Sequence, residues 1–182
     1  MRAFCARMGA TVPQRKALVL KASRILLSEK PLPERLQAFL EALLEGPFPI
    51  RSGKLYLRKG EGLRLVAQLG GEVGGEEVAL SLEGGGRALG RLSLRLAPGA
   101  SLAPEDRLAL EEAAGILALA LRRERAERAE RVLRRAGECA TQAAGEEDLL
   151  RKVCALLVEE GYALAWVGEA RPTGEVVPRG AA

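Results

Sequence analysis

Histidine is absent from this chain of 182 residues, and aromatic side chains make up only 3% of it. Without imidazole groups the chain has no histidine-based acid–base catalysis, no histidine ligand for zinc or haem, and no phosphohistidine. Asparagine is absent too, which excludes N-linked glycosylation. With so few aromatic residues, leucine, valine and alanine have to build the core.

Cysteine is scarce as well, because the chain has only Cys5, Cys139 and Cys154. An odd number without a Cys-x-x-Cys spacing predicts neither a disulfide framework nor a metal site, and it is typical of a reducing compartment. The most apolar stretch, residues 113–121, is too short to span a bilayer. Residues 1–20 have no apolar run of signal-peptide length. We therefore expect a cytoplasmic protein with no membrane partner, metal or cofactor.

The net charge of +4 is concentrated in one segment. Residues 122–135 contain seven arginines and three glutamates, and 7 − 3 accounts for the whole excess. Each glutamate precedes an arginine by four residues, an order that stabilises an exposed helix by about 0.2–0.5 kcal/mol per pair. The pairs are Glu124–Arg128, Glu127–Arg131 and Glu130–Arg134. This pattern favours a solvated connector helix and no nucleic-acid partner; nucleic-acid binding through the arginine-rich helix is the second alternative function.

The spacing of apolar residues predicts two helices, over residues 14–29 and 34–45, followed by two β-hairpins. The glycine-rich runs at 70–75 and 84–86 are interpreted as connections between strands rather than phosphate cradles. The pair Glu76–Glu77 has no catalytic partner motif, and we expect no catalytic residues. The predicted fold class is α+β, with an antiparallel sheet of about four strands and the N- and C-terminal helices on one face. A long C-terminal helix and a partial second copy follow.

The long helix begins near Glu105, and residues 113–121 are apolar nearly all round. Such a segment is predicted to be buried on two sides, by its own sheet and by the same helix of a second chain. Apolar residues at intervals of three and four residues, with one step of five between Leu121 and Ala126, form the predicted dimer seam. The seam consists of Leu110, Ala114, Leu117, Leu121, Ala126, Ala129 and Leu133.

An offset of 113 residues aligns the start of the chain with its C-terminal part, as Val19-Leu20 aligns with Val132-Leu133. A helix and a hairpin, residues 162–168 with 175–178, then recur. We predict a tail at 1–13, a first domain at 14–121, a charged linker at 122–146 and an incomplete second domain at 147–182. Two strands and a helix are rarely stable alone. The second copy therefore docks on the first domain, pairs with another chain or begins a longer protein, and we favour the last.

Three segments resemble the GAF family of sensory domains. Residues 85–94, GGRALGRLSL, resemble the final strands of the family. Residues 102–110, LAPEDRLAL, and their continuation to Leu121 are similar to its closing helix. Residues 162–168, YALAWVG, resemble the first strand of a second GAF domain.

The resemblance implies a ligand pocket on the sheet face opposite the helices, parallel dimers through those helices, and signalling helices between tandem copies. The connector at 70–76 is much shorter than the pocket roof usual in the family. No cysteine lies between Cys5 and Cys139, unlike in GAF-type methionine sulfoxide reductases, which use cysteines in the domain. We therefore expect a non-enzymatic sensory, dimerisation and signal-relay module with a reduced or absent pocket. The first alternative is a small-molecule-binding GAF sensor. The expected partners are a second copy in parallel and a downstream output domain or partner protein.

Overall fold

The computed structural model describes residues 9–71, 74–162 and 164–181, in two compact units that divide between Arg122 and Arg123. The first unit contains two helices, four strands and the start of a third helix. These elements are α1 (Val12–Leu26), α2 (Leu32–Leu44), β1 (Ile50–Lys59), β2 (Gly62–Leu69), β3 (Glu77–Gly84), β4 (Arg87–Leu96) and α3 (Pro104–Gln142). The second unit contains the rest of α3, then α4 (Glu146–Glu159), β5 (Trp166–Ala170) and β6 (Val176–Ala181).

The start of α1 is set by local hydrogen bonds. The Thr11 N–H and hydroxyl both donate to Gln14 Oε1, at 2.9 and 3.0 Å, and Pro13 lies in the first turn, where its missing N–H costs nothing. The helix therefore begins two residues before the predicted boundary at residue 14. Part of the predicted tail is also packed, because Ala10 is buried. Residues 1–8, including Cys5, lie outside the described residues.

The sheet of the first unit consists of two antiparallel hairpins that join through their inner strands, in the order β2-β1-β4-β3. In the β3–β4 turn Gly85 and Gly86 have φ angles of +64° and +73°. Two successive positive φ angles are what the tight hairpin turns require, and glycine adopts them without steric cost. The glycine run at 84–86 therefore forms a turn, as predicted. Residues 72 and 73 of the other run are outside the described residues.

One face of the sheet packs against the helices, and all three helices contribute to the same core. Gly53 lies under the helical layer, where an added Cβ would be 3.1 Å from Leu40 and 3.3 Å from Leu94, so the backbone approaches the helices closely. The predicted α+β class with a four-stranded antiparallel sheet, flanking helices and a long helix is confirmed. The fully buried side chains of this core include Leu26, Leu36, Phe39, Leu40, Leu55, Leu92, Leu94, Leu110 and Leu117.

The second unit is a helical pair followed by one antiparallel hairpin. Among the described residues from Arg123 onward, the buried apolar residues are Cys154, Leu156 and Ala165. The first strand runs over Trp166–Ala170, later than the predicted 162–168. Subtracting 113 from the bounds of β5 and β6 gives 53–57 and 63–68, which fall within β1 and β2. The recurring order of elements is consistent with the predicted tandem repeat, which stays a prediction, as do the domain boundaries.

None of the described helices combines the length and the apolar character that a membrane crossing requires.

Candidate functional site

The first half of the predicted dimer seam lies inside the first unit. Leu110, Ala114, Leu117 and Leu121 are each at most 3% exposed and belong to the hydrophobic core. These side chains already pack within their own chain. They are therefore not available to contact a second copy without unfolding this layer.

A different row of α3 residues faces solvent. Leu108 is 63% exposed and Leu119 is 62% exposed, and Gly115 between them is exposed as well. Positions 108, 115 and 119 are separated by seven and four residues, which are the intervals of a coiled-coil seam. Leucine side chains this exposed leave most of their apolar surface in water.

The same heptad positions continue into the charged half of α3. Ala126, Ala129 and Leu133 are exposed, and Leu133, at 74%, is the most exposed large apolar residue in the described part of the chain. Steps of seven lead from Leu119 to Ala126 and then to Leu133. The second half of the predicted seam and a row beginning at Leu108 are therefore both exposed on α3, and the seam itself stays a prediction. We call Leu108, Gly115, Leu119, Ala126, Ala129 and Leu133 the exposed stripe.

The first turn of α3 is held by a buried carboxylate that the sequence did not single out. Asp106 Oδ1 accepts a hydrogen bond from Arg15 Nε at 2.8 Å, and Oδ2 accepts one from the Ala10 N–H at 3.3 Å. The Asp106 side chain is only 4% exposed and that of Arg15 is 20% exposed. This ion pair joins the N-terminal ends of α1 and α3, although 91 residues separate the two partners.

The arginine-rich half of α3 makes several ion pairs that the sequence did not predict. Arg123 Nε lies 2.6 Å from Glu127 Oε1, with the arginine preceding the glutamate. Arg135 donates to Glu159, the last residue of α4, at 2.8 Å and to the C-cap residue Glu160 at 3.1 Å, and Arg131 Nε lies 3.8 Å from Glu160. Part of the basic excess is thus used to join α3 to α4 within the second unit.

The outer face of the sheet carries a polar cluster around Glu77. Its carboxylate accepts hydrogen bonds from Ser93 Oγ at 2.6 Å, Arg91 at 2.9 Å and Arg95 at 3.4 Å. The hydrogen bond from the Ser93 hydroxyl is the main reason why the pKa of Glu77 is lowered, and the two arginines lower it further while burial opposes them. The Glu77 carboxylate therefore stays ionised and joins β3 to β4.

A cavity of about 720 Å³ lies among the loops at one end of the first unit, beside Phe48 and Gly99. Asp106 is the one charged residue among those described in its lining, and its two oxygens already accept hydrogen bonds. Across the described ranges, no three His, Cys, Asp or Glu side chains are placed to hold a metal ion together. Cys139 and Cys154 are unpaired thiols.

No protein-family model and no curated protein matches this chain. Solved structures do match it. The fRMsr of Staphylococcus aureus in complex with substrate has a TM-score of 0.51 and 14% identity, over 59% of this chain and 95% of that one. The reduced form of the same protein has a TM-score of 0.52 and 14% identity, over 63% and 99%. The GAF domain of A. aeolicus nlh2 in an inactive state has a TM-score of 0.49 and 12% identity, over 62% and 98%.

The similarity to fRMsr corrects one prediction. From the missing histidine and the missing catalytic motif we expected a non-enzymatic protein, yet fRMsr is a methionine sulfoxide reductase. The expectation is wrong because this scaffold also supports an enzyme, so the absence of a familiar motif does not exclude catalysis. What the comparisons establish is the fold, since fRMsr shares the GAF-like architecture.

Proposed function

We propose that this chain is a GAF-type dimerisation and signal-relay module in which α3 joins two copies in parallel. The observation that carries the proposal is the exposed stripe, where Leu108, Leu119 and Leu133 are each more than 60% exposed at heptad positions of one helix. Burying a leucine side chain contributes about 1.5–3 kcal/mol. Pairing the exposed stripe with that of a second copy would bury two leucine side chains, one from each chain, at each of the positions 108, 119 and 133.

The charges beside the stripe favour the parallel orientation. In a parallel coiled coil, a residue at position g approaches the partner's position e five residues later. With Leu119 at position a, Arg125 takes position g and Glu130 takes position e. Each Arg125 then faces an opposite charge on the other chain, and the two-fold symmetry gives this pair twice.

A relay role is supported by the way α3 is held at both ends. Asp106 bonds the first turn of the helix to Arg15, and Arg135 bonds its later part to Glu159 and Glu160. A rotation or shift of α3 has to break or re-form these ion pairs. Such discrete contacts give a helix alternative positions rather than a continuous range of movement. The proposal includes an output domain or partner protein that receives this change in α3. It also includes a cytoplasmic location, which the unpaired thiols Cys139 and Cys154 support.

Sedimentation equilibrium of the full chain tests the dimer. We expect a dimer for the unchanged chain and at least a tenfold weaker association for Leu119→Glu and Leu133→Glu, which would bury a charge in the seam. Leu63→Glu is the matched control, because Leu63 is similarly exposed, at 53%, but lies on β2. A monomer at all concentrations, or equal weakening by Leu63→Glu, would contradict the proposal.

A small-molecule sensor is the second candidate, and the outer sheet face favours it. Lys54 lies opposite Ser93 on neighbouring strands, and Tyr56 lies opposite Arg91, so basic and aromatic groups share this face. These groups suit an anionic ligand with a flat apolar part. Titration calorimetry with inorganic phosphate and with benzoate is the test. Binding that Arg91→Ala weakens at least tenfold supports this candidate, and no heat with either probe counts against it.

We do not propose nucleic-acid binding, because Arg131 and Arg135 face the carboxylates of Glu159 and Glu160. Fluorescence anisotropy with a labelled DNA duplex at low salt should show no binding. Binding that weakens steeply with salt would restore that alternative.

A further inference from the structure

The hairpin of β1 and β2 exposes apolar side chains on the outer face of the sheet. Leu63 is 53% exposed and Leu65 is 44% exposed, and they lie opposite Arg58 and Tyr56 of β1. Tyr56 points away from the helices, because its neighbour Leu55 is fully buried in the core and successive side chains of a strand alternate. Leu63 and Leu65 are about 7 Å apart along the strand. We call Tyr56, Leu63 and Leu65 the outer strip.

The residues beside the outer strip are basic. The hairpin, residues 50–69, contains five basic residues and one glutamate. Lys54 and Arg58 lie on either side of Tyr56 on the same face of β1, and neither has a carboxylate partner among the described residues. Arg58 Nε donates instead to the carbonyl oxygen of Gly60 at 3.2 Å. The outer strip is therefore bordered by positive charge that the described part of the chain leaves unneutralised.

The geometry of β2 favours a partner on the face of the sheet over one at its edge. This strand is an edge strand, whose one neighbour among the described strands is β1. Leu55 pairs with Ala67 and Tyr56 pairs with Leu65, so Val66 is an extra residue that forms a bulge. A bulge interrupts the hydrogen-bond ladder and increases the local twist, which discourages the addition of a further strand. The outer strip remains accessible from the face, where a helix can lie across it.

We propose that the outer strip binds an acidic amphipathic helix of a partner protein. One turn of a helix rises about 5.4 Å, so apolar side chains on successive turns reach Leu63 and Leu65, with Tyr56 beside them. Carboxylates along one side of that helix then pair with Lys54 and Arg58. The same hairpin of a second copy is a poor occupant, because it would bring like charges together.

This docking surface is separate from the proposed dimer contact. The core residues of α3 pack on the inner face of the sheet, whereas the outer strip lies on the opposite face. A partner helix on the outer strip therefore leaves the exposed stripe free. The inference goes beyond the proposed dimer and does not depend on it, since it gives the partner protein a chemical character and a place on the fold.

Fluorescence anisotropy with two labelled synthetic helices tests the docking on the full chain. The first helix is about five turns long, with leucine at intervals of three and four residues and glutamate beside them, and the second has lysine in place of each glutamate. We expect the glutamate helix to bind at least tenfold more tightly than the lysine helix, and its affinity to fall as salt is added. Leu65→Glu and Lys54→Glu should each weaken its binding at least tenfold. No binding, equal binding of the two helices, or binding that Leu65→Glu leaves unchanged would overturn the proposal.

Three control variants locate the bound helix. Leu20→Glu and Lys16→Glu change exposed residues of α1, and both should leave the affinity unchanged, because Leu20 is 58% exposed but lies on the helical side of the sheet. The double variant Leu119→Glu, Leu133→Glu alters the exposed stripe and should also retain binding. Loss of binding in this double variant would place the synthetic helix on α3 and overturn the docking at the outer strip.

An anionic membrane is the other surface that exposed leucines beside basic residues can contact. Sedimentation with vesicles of phosphatidylserine and phosphatidylcholine distinguishes the two. We expect no binding to these vesicles. Vesicle binding that Leu63→Glu abolishes, without binding of the glutamate helix, would assign the outer strip to a lipid surface and overturn the proposal.

Discussion

The aliphatic part of the Arg122 side chain lies against Gly84, so closely that a Cβ on the glycine would come within 2.3 Å of the arginine Cδ. Gly84 ends β3 and Arg122 is the last residue of the first unit, one position after the buried Leu121. The glycine therefore leaves room for the arginine to cover the end of the β3–β4 hairpin. Its role is steric.

Gly84→Ala is expected to destabilise the first unit by about 1–3 kcal/mol, as other overpacked sites do. Shortening the Arg122 side chain should make room for the new methyl group. Gly84→Ala should therefore lower the stability of the first unit less in an Arg122→Ala background than in the unchanged chain. A double-mutant cycle on thermal unfolding followed by circular dichroism measures this coupling. Additive effects of the two changes would contradict the proposed contact.

Asp106→Ala is expected to destabilise the first unit by about 1–3 kcal/mol, because it leaves the Arg15 guanidinium and the Ala10 N–H without their buried acceptor. Glu45→Gln is the matched control. Glu45 also pairs with a basic residue, Lys21, at 3.0 Å, but their side chains are 69% and 52% exposed. An exposed pair of this kind contributes at most about 1 kcal/mol. Equal melting temperatures for the two variants would show that burial of Asp106 confers no added stability.

The start of α4 should lose stability only in acid. Hydrogen bonds from Lys152, from Arg151 and from the Ala144 N–H hold the pKa of Asp148 well below its ordinary value of 3.8. Because the folded-state pKa is lowered, the stabilisation is complete above about pH 3.8 and is lost as the pH falls through the lowered pKa. Asp148→Asn should therefore lower the melting temperature at pH 7, and this difference should shrink below pH 3.8. A difference that persists unchanged in strong acid would contradict the assignment.

Ser93→Ala should raise the pKa of Glu77 toward its ordinary value of 4.5, because the Ser93 hydroxyl is the largest cause of its lowering. The stabilisation that the ionised carboxylate gives is present above about pH 4.5 and is lost as the pH falls through the lowered pKa. Titration of the Glu77 side-chain carbon by NMR measures the shift directly. Ser81→Ala is a suitable control, since Ser81 lies on β3 opposite Arg91, whereas Ser93 lies on β4 opposite Ala79. An unchanged Glu77 pKa in Ser93→Ala would refute this cause.

Local features of the sequence predicted the elements well. The turn around Gly85 and Gly86 depends on glycine's access to positive φ, a property of the residue itself. The proline-bounded helices and the alternating strand β4 follow from equally local rules. Boundaries were less accurate: α1 begins earlier and β5 later than predicted, since Thr11 caps the helix with Gln14 and the strand forms only where β6 can pair with it.

Long-range partners could not be predicted in this way. Asp106 and Arg15 are 91 residues apart, and no local pattern distinguishes this aspartate from other acidic residues at a helix start. The ion pairs of Arg135 with Glu159 and Glu160 depend on where α4 packs, so the helical i,i+4 rule could not predict them.

The amino-acid sequence is enough to identify α3 as a long helix whose centre is apolar nearly all round and whose residues 122–135 carry the basic excess. Which side of that apolar centre the sheet covers depends on the packing of the whole first unit. This packing places Leu117 in the core and leaves Leu119 exposed, although both belong to rows with coiled-coil spacing. The physical reason is that helical periodicity identifies the rows on a helix, whereas packing against the rest of the fold selects the row that remains free for a partner.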